Sequence, residues 1–199
     1  EFLKERFRFV RSQYVIDFWI KEMGKTSDYH RSEMLGWFAS KFERFASNPI
    51  MRSMLGPGRN DIDISQLMDD GGILLVRLPK GLIGDVNASL LGYILSSRMW
   101  VAAMARASRP EADRRPFTLF IDEFQNFTSV GSIDTMLSES RKFKLRLCLA
   151  NQFSSQLRPA VLAAVDGNVG NRITFRVGVP DAKVLEPLYA GAFEAEDLV

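Results

Sequence analysis

Four short apolar runs, separated by stretches with helical spacing, constrain this chain more than any other feature. They are residues 73–78 (Ile-Leu-Leu-Val-Arg-Leu), 117–121 (Phe-Thr-Leu-Phe-Ile), 145–150 (Leu-Arg-Leu-Cys-Leu-Ala) and 173–177 (Ile-Thr-Phe-Arg-Val). Runs of this length predict strands, and strands separated by helices and apolar along their length imply a parallel sheet covered on both faces. Between the first two runs, Asp85 is placed to cap a long helix with Val86, Leu90, Ile94 and Val101 on its buried side. The polar, Pro-containing stretch 106–116 then turns the chain back, and residues 133–142 read as a second helix leading into the third run.

The amino-terminal part reads differently. Leu3, Phe7, Val10, Tyr14 and Phe18 recur at spacings of four or three, which stacks them on one face of a helix ending near Gly24. Leu35, Phe38, Phe42 and Phe45 mark a second helix that stops at Asn48 and Pro49 and pairs with the first. The Gly56-Pro57-Gly58-Arg59-Asn60 stretch is a turn or hinge, and the periodicity changes after it. The expected organisation is therefore a helical segment over 1–62 followed by an α/β segment over 63–199.

Composition narrows the chemistry mainly by exclusion. The 199 residues hold one cysteine, Cys148, and one histidine, His30, too few for a disulfide framework or a zinc site, and a reducing compartment is expected. A net charge of +2 does not by itself point to nucleic acid or to an anionic membrane. No run reaches the roughly 18 consecutive apolar residues of a membrane span. The sequence opens at Glu1 without an initiator Met, so it reads as a fragment whose membrane anchor, if any, lies upstream.

The run at 117–121 ends in two consecutive carboxylates, Asp122 and Glu123. In an open parallel sheet ligands bind beyond the carboxyl ends of strands, so both acids are expected at the active edge. Asp122 there would help hold Mg²⁺, usually through a water, and Glu123 would orient or deprotonate the attacking water, the two roles of a hydrolytic Walker B motif. The bland alternative is that the pair caps the following turn. The next run ends in Ala150-Asn151-Gln152, where the amide of Gln152 could sense a terminal phosphate and position water, against the plainer role of an exposed turn residue.

Other candidates are weaker. Gly24-Lys25-Thr26-Ser27 mimics the end of a phosphate-binding loop, but the first glycine of that motif would fall on Trp19 and a helix precedes it. Residues 80–84 (Lys-Gly-Leu-Ile-Gly) follow a strand and precede a helix yet lack the Lys-Ser/Thr pair, so a turn is their expected role. Basic clusters at Lys4, Arg6, Arg8 and Arg11, at Arg106, Arg109, Arg114 and Arg115, and at Lys142, Lys144 and Arg146 could contact DNA phosphates, or could simply be solvated faces. Arg141, at a predicted helix end, most simply complements the helix dipole. His30, Cys148, Trp19, Trp37 and Trp100 read as structural.

The ordered set Leu119-Phe120-Ile121-Asp122-Glu123-Phe124, Glu139-Ser140-Arg141-Lys142, Leu149-Ala150-Asn151-Gln152 and Gly170-Asn171-Arg172-Ile173 resembles the type IV secretion coupling proteins and related conjugative ATPases of the FtsK/HerA superfamily. The stretch 73–84 and the following Ala88-Ser89-Leu90-Leu91-Gly92 resemble the same group, so the likeness covers about residues 60–190. It implies a RecA-like P-loop NTPase motor domain, of which 63–199 would be the second half, and a small all-α domain to which 1–62 would belong. It further implies ATP and Mg²⁺ as cofactors, with Asp122, Glu123 and Gln152 at the nucleotide and Arg141 acting in trans on a neighbouring subunit. A homohexamer is expected to pump single-stranded DNA or nucleoprotein at the cytoplasmic face of the bacterial inner membrane, with relaxase and secretion-channel proteins as partners. The departure is the missing Walker A loop, which leaves this stretch alone poorly equipped to bind nucleotide. A catalytically silent adaptor that kept the motor fold, and a secretion ATPase with protein cargo, are the competing readings.

Overall fold

Two of the four apolar runs pair. In the computed structural model, which describes residues 9–56, 62–128, 133–189 and 191–199, β1 (Phe117–Ile121) and β2 (Leu145–Leu149) form a parallel two-stranded sheet in the register Phe117 to Leu145 through Ile121 to Leu149. Parallel strands need a crossover, and the 23 residues between them supply one through α7 (Ile133–Glu139). The chain divides into two compact units, Glu1–Pro57 and Gly58–Val199.

In the first unit, α1 (Gln13–Asp17) runs into a π-helical turn, Phe18–Glu22, closed by Met23 N donating to Phe18 O at 3.0 Å. Gln13 and Lys21 both reach the Asp17 carboxylate, at 3.0 and 2.8 Å. α2 (Asp28–Ala46) starts at Ser27, whose hydroxyl accepts from His30 N. Leu35, Phe38 and Phe42 share a face there, as their spacing predicts, and that face is exposed. Pro49 acts as a start as well as a stop: α3 (Pro49–Leu55) takes it in its first turn, and the Asn48 side chain accepts from Ile50 N and Met51 N. Leu3 and Phe7, the basic residues Lys4, Arg6 and Arg8, and most of the expected hinge lie outside the described residues.

The second unit contains α4 (Ile64–Asp70), the one-turn helix α5 (Lys80–Ile83), the long α6 (Asp85–Ala105), the two strands, α7, α8 (Pro159–Asn168) and α9 (Val179–Leu185). Its core gathers Met68 from α4, Trp100 and Ala103 from α6, Met136 from α7, Val161 from α8 and Phe124 after β1. Trp100 meets Phe143 edge to face at 5.4 Å. The buried side of α6 is Ala88, Leu91, Gly92, Ser96, Met99, Trp100 and Ala103, whereas Val86 and Val101 are exposed, a rotation of the predicted stripe. Small residues at 88, 92 and 103 explain it, because they let the helix approach its neighbours closely. Gly92 is the extreme case, since a Cβ there would lie 2.1 Å from the Phe127 ring. Asp85 is the first helical residue and makes no cap hydrogen bond; Gly84, at φ 82°, occupies the cap position.

The expected four-stranded sheet is not formed among the described residues. Residues 73–78 and 173–177 carry no regular structure; Ile73 (85%), Leu75 (90%) and Phe175 (83%) are exposed, whereas Leu74 packs against the core and Leu78 and Val177 are half-buried. A strand is defined by its neighbour, and among the described residues β1 and β2 have only each other. Nor are both faces covered. The paired residues Phe117, Leu119, Ile121, Leu145, Leu147 and Leu149 look into the core, while Phe120 (73% exposed) and Cys148 look out.

The arginines of the 106–116 connection hold the fold together. Arg106, 3% exposed, pairs with Asp69 at 3.2 Å and donates to the carbonyls of Arg115 and Phe143. Arg109 reaches the same Asp69 at 2.6 Å, Arg115 donates to Asp70 O, and Arg114 donates to the carbonyls of Arg109 and Lys142. These side chains, which the sequence offers as a candidate phosphate-contacting cluster, are engaged with the protein's own carbonyls and carboxylate, because the connection has no ladder to satisfy its neighbours' backbone groups.

Candidate active site

The ladder between β1 and β2 continues one step past both strands: Ala150 N donates to Ile121 O and Phe124 N to Ala150 O, each at 3.0 Å. The chain at 122–124 is thereby drawn across the carboxyl end of β2. Making that turn places Glu123 in the left-handed region at φ 53°, a conformation uncommon for any residue but glycine.

That turn gathers polar side chains around one acidic residue. Gln152 Nε2 donates to Glu123 Oε1 at 2.5 Å and Gln125 Nε2 donates to Glu123 Oε2 at 2.7 Å, so each carboxylate oxygen has an amide partner. The Glu123 carbonyl accepts from Asn126 N at 3.0 Å and from Asn126 Nδ2 at 2.9 Å. Asn126 Oδ1 in turn accepts from Lys80 Nζ at 3.0 Å. Asp122 Oδ1 accepts from the Glu123 amide at 2.9 Å.

Of the residues singled out from sequence, Asp122, Glu123 and Gln152 therefore lie together at the carboxyl edge. Arg141 does not join them. It is exposed in the 3₁₀ turn Ser140–Phe143, which precedes β2, so the five-residue strand holds it about 16 Å from the Gln152 end at some 3.3 Å per residue. Arg172 is tied to Asp166 at 2.6 Å. Sequence reasoning singles out neither Gln125 nor Asn126 and reads Lys80 as part of a turn; two amide residues one position beyond an acidic pair are the available signal.

Among the described residues no group of three or more His, Cys, Asp or Glu side chains is placed to hold an ion. Mg²⁺ ordinarily keeps several waters and binds through one or two carboxylates plus phosphate oxygens, and Asp122 is the side chain here that could contribute to such a site. A cleft of about 990 Å³ runs between β2 and residues 171–179, walled by Leu147, Leu149, Asn151, Gln152, Phe175 and Asp181; of the residues singled out it takes in Gln152 but neither acid.

Asp85–Ser108, α6 with its 3₁₀ extension, is long and apolar enough to cross a membrane by length and composition, but its Leu91, Met99, Trp100 and Ala103 are buried against the rest of the second unit. No curated protein and no solved structure matches the chain. A family model does, over residues 72–183, more than half of the sequence and the stretch that contains both strands and every residue of the carboxyl edge. The chain accordingly belongs to the type IV secretion-system coupling protein DNA-binding domain family.

Proposed function

We propose that this chain carries the water-activating half of an ATP-driven motor that moves DNA for a type IV secretion coupling protein. The observation that carries the proposal is the Glu123 carboxylate held between the amides of Gln152 and Gln125 at adjoining strand ends. A carboxylate fixed in this way is preorganised to orient a water and accept its proton, and a neighbouring amide is suited to report on a terminal phosphate. Asp122, one residue earlier, would help hold Mg²⁺, usually through a water. Glu123 and Gln152 would position the water that attacks the terminal phosphoryl group of ATP, whose charge a bound Mg²⁺ would offset.

In this reading residues 63–199 are the second half of a RecA-like domain, residues 1–62 belong to an all-α insertion, and the phosphate-binding loop comes from elsewhere in the parent protein. Because Arg141 sits at the opposite end of β2 from Glu123, its catalytic role is in trans, on the nucleotide of the next subunit of a homohexamer. The family description supports DNA as the cargo, and we assign single-stranded DNA or nucleoprotein delivered by a relaxase to a secretion channel at the cytoplasmic face of the inner membrane.

The test is magnesium-dependent ATP hydrolysis by the full-length parent, with and without single-stranded DNA, beside its Glu123→Gln variant. DNA-stimulated turnover lost in the variant is the expected result. Equal turnover in both would sink the role of Glu123, and no turnover in either would leave a DNA-binding adaptor in place of a motor.

A further inference from the structure

The carboxyl edge contains a contact that neither the family assignment nor the Walker-type pairing explains. Lys80 Nζ donates to Asn126 Oδ1 at 3.0 Å across a separation of 46 residues. An ammonium group only donates, so the end of the Asn126 amide that faces Lys80 must be its oxygen. The NH₂ end is then turned toward the Glu123 carbonyl, where it donates at 2.9 Å. Lys80 and the Glu123 carbonyl thus select the same orientation of this amide, since a flip would put oxygen against oxygen at the carbonyl, and removing the lysine leaves the carbonyl to do so alone.

The consequence reaches the acid. Glu123 sits at φ 53°, in a turn that Phe124 N closes on Ala150 O and to which Asn126 adds two bonds at the Glu123 carbonyl, one from its backbone and one from its side chain. The direction of the carboxylate toward Gln152 depends on that backbone. The backbone of Lys80 is seated, since Ile83, 4% exposed, anchors α5 and Pro79 O accepts from Leu82 N and Ile83 N to close the turn that Lys80 begins, while its side chain is 44% exposed. The other partner of Lys80 is Asp85 at 3.8 Å, a largely exposed carboxylate that holds it only weakly.

We propose that Lys80 is a positioning residue that acts through Asn126 to fix the backbone of Glu123, and hence the aim of its carboxylate at the water it activates. The proposal rests on the reading of Glu123 given above. In the full-length parent, Lys80→Met is expected to lower kcat for ATP about tenfold or more while leaving KM within about twofold, because misplacement of a reacting group penalises the chemical step. Lys80→Arg, which keeps a donor, should recover most of the rate. Lys80→Met combined with Asn126→Ala should be no slower than the slower single variant. A rise in KM with kcat unchanged would overturn the proposal in favour of direct contact between Lys80 and nucleotide, and so would multiplicative losses in the double variant.

A readout without turnover separates the two ideas. In ¹H–¹⁵N spectra of the 199-residue chain, Lys80→Met should move the Asn126 side-chain amide and the Glu123 backbone amide, and Asp85→Asn should move neither. If the two resonances stay in place in Lys80→Met, the positioning role fails even where Glu123→Gln abolishes hydrolysis. If they move but Glu123→Gln hydrolyses ATP normally, the catalytic reading has failed and the positioning role falls with it.

Discussion

Gln152 and Glu123 are 29 residues apart and joined at 2.5 Å, amide nitrogen to carboxylate oxygen, across the carboxyl ends of two adjacent parallel strands. The bond exists because Phe124 N caps the Ala150 carbonyl and folds the chain after β1 over the end of β2. Replacing Gln152 by Ala removes one of the two amides on the carboxylate and leaves Gln125. ATP hydrolysis by the full-length parent is expected to fall about 10²-fold, the usual cost of deleting one preorganised donor. Steady-state turnover checks it, and a change under about twofold would remove Gln152 from the site.

Gly92 and Phe127 define a second contact with little tolerance. A Cβ at 92 would stand 2.1 Å from Cε1 of the Phe127 ring, so Gly92→Ala forces the turn 124–127 away from α6. The expected cost is about 2 kcal/mol of overpacking, read from urea unfolding. Phe127→Leu in the same chain should recover part of it, because the smaller side chain leaves room for the methyl group.

Arg106 offers a test of the arginine network. Arg106→Met removes the buried guanidinium that joins Asp69 to the carbonyls of Arg115 and Phe143. Asp69 keeps Arg109, so the loss should lie near the lower end for a broken buried pair, about 3 kcal/mol by chemical denaturation. Arg146→Met, on the exposed face of β2, should change stability by less than about 0.5 kcal/mol.

Lys144 occupies the left-handed region at φ 56° in the turn that feeds β2, and its ion pair with Glu111 is a loose 3.7 Å. Glycine adopts that conformation without the steric cost. Lys144→Gly is expected to stabilise the chain by about 1 kcal/mol, with Lys144→Ala giving no gain, in the same unfolding measurement.

Much of the edge was legible in the sequence for a simple reason. A run of apolar strand residues ending in Asp122 and Glu123 fixes both the element and the end at which its polar residues emerge, and Leu145–Leu149 followed by Asn151 and Gln152 repeats the pattern. The long helix was legible too, but its buried face was not, because small residues at 88, 92 and 103 set the packing and carry little weight in a hydrophobic stripe. Residues 73–78 and 173–177 have strand composition yet no strand, since composition records what a segment could pair with and not whether the partner is present. Asn126 and Lys80 were out of reach for a related reason: their contact spans 46 residues, and neither has a spacing that announces it.

The one-sided, two-stranded sheet also bears on how the chain behaves in a tube. The register turns the backbone groups of Leu145, Leu147 and Leu149 away from β1, and among the described residues β2 has no second neighbour. An unpaired strand edge facing the exposed Ile173 and Phe175 across the cleft is a template for pairing between molecules. The expected outcome is self-association that rises with concentration, which light scattering over a dilution series would check.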